Sequence, residues 1–86
     1  MTPKELIELA SEKALVLEPQ STFNAALVGV SSDGRLVYSE DKILGALQDI
    51  DGMSYEEALD YYEANTVRGI AYAKGSVSPI ILSHTL

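Results

Sequence analysis

The chain begins with apolar residues at helical spacing. Five of them recur at intervals of three and four, the period of one helix face. They are Leu6, Ile7, Ala10, Ala14 and Leu17. Thr2, Pro3 and Glu5 supply an N-cap, a first-turn proline and the second member of a capping box. We therefore predict a first helix over residues 2–17, which ends before Pro19 because proline disfavours helical backbone in the preceding residue.

The next pattern is typical of two strands joined by a turn. Residues 23–30 are uncharged and, apart from Asn24, apolar, and a second run, Arg35-Leu36-Val37-Tyr38, follows. The two runs are separated by a turn that contains Asp33-Gly34, a strong hairpin signal. This pattern predicts a β-hairpin, and the longer apolar run indicates that its first strand is the more buried one.

Two further helices are predicted by their caps and their apolar spacing. Ser39 caps the first, which runs to the Asp51-Gly52 pair. Its predicted inner face consists of Ile43, Leu44, Leu47 and Ile50. Ser54 and Glu57 form a second capping box and begin a helix that extends to about residue 66. The predicted inner face of that helix consists of Tyr55, Ala58, Leu59, Tyr62 and Thr66.

The chain ends with another strand pattern. Residues 79–83 read Pro-Ile-Ile-Leu-Ser, with proline at the first position, where a missing N–H is tolerated. Residues 70–73 fit a short strand or a packed loop. The order αββααβ predicts an α+β fold, in which a small antiparallel sheet of about three strands, the hairpin plus the C-terminal strand, packs against three helices. A chain of 86 residues suits a single domain, 1–86.

The negative charge is concentrated in one part of the chain. Residues 40–63 contain eight of the thirteen acids and one of the six bases, so they carry the whole net charge of −7. The five remaining acids and five remaining bases cancel. A surface of one sign attracts basic partners and repels nucleic acid and anionic membranes. We therefore expect a protein partner with a basic surface, and neither direct nucleic-acid binding nor membrane binding.

The predicted helix after Ser54 carries its acids opposite its apolar face. Like charges one turn apart weaken a helix, which favours a binding role, although carboxylates that only keep a small domain soluble are the alternative. Tyr61 lies at the border of the two faces, where an exposed aromatic residue resembles an interface anchor. The predicted partner-binding residues are Glu56, Glu57, Asp60, Tyr61 and Glu63.

No catalytic or metal-binding pattern is present in the sequence. The chain has no cysteine, and its single histidine, His84, has no recognisable nucleophile or acid partner. Residues 49–52 resemble part of an EF-hand loop, but the alignment places Leu47 and Ala58 at positions that require carboxylates. We expect no enzymatic activity, no metal and no cofactor. A signal peptide and a membrane-length apolar run are not recognisable, so we expect a soluble, cytoplasmic protein.

One family resemblance covers residues 38–82. Residues 51–66, followed by Ser78-Pro79-Ile80-Ile81, resemble a family of small uncharacterised proteins encoded by tailed bacteriophages and prophages. The shared pattern is D-G-M-(S/T)-x-E-E-A-x-x-(Y/F)-(F/Y)-x-x-N, then G and P-(I/V)-(F/I), and Tyr38 and Lys42 fit it too. The N-terminal helix does not match. The resemblance implies a phage origin and a domain without known catalysis, and it transfers no functional residue.

Two functional hypotheses follow from these patterns. The first is a non-enzymatic phage or prophage protein that binds a host protein through the acidic helix, for example as an inhibitor of a nucleic-acid-binding defence protein, as an anti-CRISPR is. The alternative is a homodimeric structural or interaction module with a phage accessory function, paired through a sheet edge or an apolar helix face.

Overall fold

The computed structural model describes residues 1–67 and 77–83 of the chain. These residues form helices packed against a three-stranded sheet, which confirms the α+β class. The α-helices are α1 (Pro3–Leu9), α2 (Gln20–Phe23), α3 (Glu40–Asp49) and α4 (Tyr55–Tyr61). A 3₁₀ turn (Asn24–Ala26) follows α2, and a π-helix (Tyr62–Val67) continues α4. The strands are β1 (Leu27–Val30), β2 (Leu36–Ser39) and β3 (Ile80–Leu82).

The sheet has the order β1-β2-β3 and is mixed. The predicted hairpin is present, with β1 and β2 antiparallel. The prediction of a fully antiparallel sheet is wrong, because β3 runs parallel to β2, with Val37 opposite Ile80 and Ser39 opposite Leu82. The chain between β2 and β3 contains α3 and α4. Such a crossover returns the chain to the end of the sheet at which β2 begins, as parallel strands require.

The first helix is shorter than predicted. It ends at Leu9, and Ala10 already has extended backbone with ψ of 165°. The backbone groups of the next residues bond to distant parts of the chain instead. The Ser11 N–H donates to the Gly34 carbonyl at 2.9 Å, and the Leu15 N–H donates to the Val77 carbonyl at 2.9 Å. These tertiary partners replace the helical hydrogen bonds that the apolar spacing predicted.

The hairpin turn is closed by Gly34, which also contacts this extended segment. Its φ of +83° lies in the left-handed region, which L side chains rarely adopt. A Cβ atom at this position would lie 3.1 Å from the backbone nitrogen of Ser11. Glycine is therefore required both by the turn and by the close approach of the segment after α1.

The core is centred on β2 rather than on β1. Leu36 and Tyr38 of β2 are fully buried and pack in one cluster with Phe23, Ile43 and Leu47. The prediction that the first strand is the more buried one is wrong, since β1 lies at the sheet edge. β2 is more buried because it is the central strand and has a neighbouring strand on each side. The apolar run that suggested the burial of β1 is split between α2, the 3₁₀ turn and β1.

Two residues predicted to face the core are exposed. Ile50 is 53% exposed and Tyr55 is 56% exposed. Ile50 is the C-cap of α3 and Tyr55 is the first residue of α4, on either side of the turn at Gly52. Helical spacing does not determine whether a residue at the end of a helix is buried, because no neighbouring element lies beyond the end to cover it. The predictions for residues 70–73 and for His84 lie outside the described residues.

Candidate functional site

Helix α4 begins at the predicted capping box. The Glu57 N–H donates to the Ser54 hydroxyl at 3.2 Å, and the Ser54 N–H donates to a Glu57 carboxylate oxygen at 3.1 Å. The hydrogen bond from the Ser54 backbone, together with one from its hydroxyl, lowers the pKa of Glu57. This predicted site residue is exposed, but one of its oxygens is engaged in starting the helix.

The inner face of α4 fixes the orientation of the helix. Ala58 and Tyr62 are buried, and Leu59 is partly buried against the same core cluster. The carboxylate of Glu40, the first residue of α3, lies near enough to the Tyr62 hydroxyl to affect its pKa. Burial raises the pKa of Tyr62 to about 12, and the charge and hydrogen bond of Glu40 add to the effect.

The outer face of α4 and of the π-helix carries three of the predicted site residues. Glu56, Asp60 and Glu63 are all exposed, as the helical spacing predicted. Within residues 1–67 and 77–83 the one ion pair joins Arg35 to Asp33, at 3.0 Å. The three carboxylates therefore have no basic partner in the described part of the chain. We call Glu56, Asp60 and Glu63 the acidic face.

The structure places six of the eight acids of residues 40–63 in two groups, and of the first group the sequence predicted only the capping role of Glu57. Glu40 lies near the Tyr62 hydroxyl, Glu57 caps α4, and Asp51 accepts a hydrogen bond from the Thr22 hydroxyl at 3.0 Å. These three acids therefore interact with other groups of the fold. The acidic face makes no comparable described contact, so its charge is directed to solvent.

The fifth predicted site residue, Tyr61, lies at the edge of a groove. Its side chain is partly buried, which agrees with its predicted border position. The groove has a volume of about 240 Å³ and runs between the end of α4 and the extended segment after α1. It is lined by Leu15, Val16, Leu17, Glu18, Tyr61, Asn65 and Thr66. The sequence did not reveal this groove, because residues 10–17 were predicted to be helical.

The described residues contain no cluster of three or more metal-ligating side chains. Among the same residues, no helix combines the length and apolar character needed to cross a bilayer. No protein-family model, no curated protein and no solved structure matches the chain.

Proposed function

We propose that this protein is a non-enzymatic binding protein of phage or prophage origin, which acts in the host cytoplasm and binds a basic surface of a host protein through α4. The acidic face, supported by Glu57 and by Tyr61 at its border, is the contact surface. Inhibition of a nucleic-acid-binding defence protein, as by an anti-CRISPR, is the form of this activity that the charge favours. The phage origin depends on the resemblance of residues 38–82.

The single observation that supports the binding role is the unpaired state of the acidic face. Glu56 and Asp60 lie one turn apart, so their repulsion weakens the helix, whereas an opposite charge at either position would stabilise it. In the described part of the chain no basic side chain pairs with these closely spaced carboxylates. They are therefore suited to a partner that supplies the basic groups. Such an arrangement accelerates association by long-range attraction and disfavours partners of the same sign.

A surface that normally binds nucleic acid is the partner that fits this charge. Arginine binds carboxylates and phosphates with the same planar pair of N–H donors. A helix that presents carboxylates at one-turn spacing can therefore occupy a phosphate-binding surface and exclude nucleic acid from it. The proposal includes neither direct nucleic-acid binding nor membrane binding by this chain, since both would bring like charges together.

The triple variant Glu56→Gln, Asp60→Asn, Glu63→Gln is expected to lose its partner. Each change keeps the shape of the side chain and removes its charge, so the fold is expected to persist. Affinity capture from the bacterial host, followed by mass spectrometry, compares the variant with the wild-type chain. We expect a basic host protein in the wild-type sample and its loss from the variant sample.

The matched control neutralises three acids outside the acidic face. The variant Glu8→Gln, Glu12→Gln, Asp41→Asn makes the same change in net charge at exposed positions. It is expected to retain the partner. Retention by both triple variants would contradict the proposal and would leave the acidic face with a role in solubility alone.

The alternative, a homodimer, is favoured by a different surface on α3. A concave region of about 390 Å³ includes Lys42, Gly45, Asp49, Ile50 and Ala25. A Cβ at Gly45 would meet nothing within 4 Å, so a second helix can approach closely there. Lys42 lies three residues before Gly45, and Asp49 lies four residues after it, on the opposite side of this point of close approach. Two antiparallel copies of α3 would therefore place each lysine near the aspartate of the other copy.

Sedimentation equilibrium tests this alternative. If the α3 surface forms a dimer, the wild-type chain has twice its monomer mass at micromolar concentration, and Ile50→Asp restores the monomer. The matched control is Leu9→Asp, because Leu9 is also an exposed aliphatic residue, at the end of α1. A monomeric wild-type chain at these concentrations would contradict the homodimer and leave the acidic face as the sole candidate.

A further inference from the structure

The groove beside Tyr61 combines apolar walls with polar side chains, one of which, Glu18, is negatively charged. Leu15, Val16 and Leu17 supply aliphatic surface on one side, and the Tyr61 ring lies on the other. At about 240 Å³ the groove is smaller than the roughly 300–1,000 Å³ of sites for drug-sized ligands. Its size therefore fits one side chain of a partner rather than a whole small molecule.

Two side chains of the groove offer hydrogen-bond acceptors. Glu18 is exposed, and its nearest described donor is the Gln20 amide nitrogen, 3.4 Å from one carboxylate oxygen. The Asn65 amide nitrogen donates to the Tyr61 carbonyl at 3.3 Å, which leaves the Asn65 side-chain oxygen as an acceptor. A ligand that contacts both groups needs hydrogen-bond donors, and the negative charge of Glu18 favours a cation.

The geometry points to this groove as a binding site for an arginine side chain of the basic partner. The inference rests on the proposed function, because it names the group that anchors the same partner beside the acidic face. An arginine stem can lie along Leu15 and Leu17, while its guanidinium faces Glu18 and stacks on the Tyr61 ring. Lysine fits less well, since its ammonium is compact, strongly hydrated and unable to stack.

The walls of the groove are fixed before any ligand binds. The Leu17 N–H donates to the fully buried Tyr38 hydroxyl at 3.1 Å, and the Leu15 N–H donates to the Val77 carbonyl at 2.9 Å. The opposite wall continues from α4, whose orientation is set by Ala58 in the core. A preorganised groove of this kind loses little conformational entropy when it takes up a side chain.

The test uses three blocked tripeptides, acetyl-Gly-X-Gly-amide, in which X is arginine, lysine or citrulline. Citrulline has nearly the shape of arginine but no charge. Binding is followed by NMR through the backbone amides of residues 15–18 and 61–66. We expect saturable shifts with the arginine peptide and at least about threefold weaker binding of the other two, as for a charge-assisted, stacked contact. Equal binding of the three peptides, or no saturable shift with arginine, would overturn the inference.

Two variants locate the binding within the groove. Glu18→Gln should weaken the arginine peptide by about two- to fivefold, the range for an exposed charge pair. Glu12→Gln removes the same charge from an exposed position outside the groove and should have no effect. Tyr61→Leu should also weaken binding by about two- to fivefold, whereas Tyr55→Leu on the same helix should not. Equal effects of a variant and its control would reject the assignment of the peptide to this groove.

The outcome is separable from that of the proposed function. The peptides report on the groove without any host protein, whereas affinity capture reports on the acidic face. If the arginine peptide fails to bind and capture still depends on Glu56, Asp60 and Glu63, the inference is rejected and the proposed function remains. If the peptide binds in the groove and capture ignores the acidic face, the proposed function is rejected and the arginine site remains.

Discussion

Replacement of Tyr38 with alanine is expected to lower the free energy of unfolding by about 3–5 kcal/mol, the range for removal of a buried aromatic ring. Tyr38 is fully buried at the centre of the sheet. Its ring packs in the core, and its hydroxyl accepts the Leu17 N–H. Domains of this kind are stable by roughly 5–15 kcal/mol, so the variant should unfold at a much lower urea concentration.

The variant Tyr38→Phe removes the hydroxyl and keeps the ring, so it measures the contribution of the hydroxyl alone to stability. It leaves the buried Leu17 N–H without its acceptor, and we expect a loss of about 1–3 kcal/mol. Tyr55→Phe is the matched control, because Tyr55 is exposed and its hydroxyl has no described partner, so its stability should change by less than about 0.5 kcal/mol. Equal stability of the two phenylalanine variants would show that the Leu17 contact does not hold the extended segment in place.

Alkaline pH is expected to destabilise the fold through Tyr62. Its pKa is raised to about 12 in the folded state, from the ordinary tyrosine value of 10.0. The folded state therefore holds the phenol proton more tightly, and this contribution to stability is complete below about pH 10 and is lost as the pH rises toward about 12. A difference of about two pKa units corresponds to about 2–3 kcal/mol.

Urea unfolding between about pH 8 and pH 12 measures this loss in the wild-type chain and in Tyr62→Phe. The stability advantage of the wild type over the variant should shrink by about 2–3 kcal/mol across that interval. Tyr55→Phe, in which an exposed phenol is removed, should follow the wild-type profile. A constant difference between wild type and Tyr62→Phe would contradict the buried environment of the Tyr62 hydroxyl.

Local signals in the sequence predicted the parts of the fold that depend on neighbouring residues. The capping box of Ser54 and Glu57 joins residues three apart, and the hairpin depends on the short turn that contains Gly34. The exposure of the acidic face follows from helical spacing alone. In these features the interacting residues are close in the sequence. They are therefore the same in an isolated segment as in the folded domain.

The features that were predicted wrongly depend on residues far apart in the sequence. The end of α1 is set by hydrogen bonds from Ser11 to the hairpin turn and from Leu15 to Val77. The spacing of apolar residues after Leu9 fits a helix equally well, so periodicity could not identify the extended segment. The parallel orientation of β3 depends likewise on the packing of α3 and α4, which connect β2 to β3 along the chain.

The candidate site was only partly predictable for the same reason. The sequence identified Glu56, Asp60 and Glu63, but it could not show that Glu40 and Asp51 contact Tyr62 and Thr22. The groove beside Tyr61 requires a wall from the extended segment and was not recognisable. A clue existed in the consecutive apolar residues 15–17, which suit a strand at least as well as one face of a helix.

The central claim is that the acidic face binds a basic protein surface, and the affinity for the captured host protein at increasing salt tests it most directly. Exposed charge pairs are screened over a Debye length of roughly 14 to 6 Å between about 50 and 300 mM salt. The wild-type affinity should therefore fall across this range, and the variant Glu56→Gln, Asp60→Asn, Glu63→Gln should bind weakly with little dependence on salt. A wild-type affinity that is independent of salt and equal to that of the variant would contradict the claim.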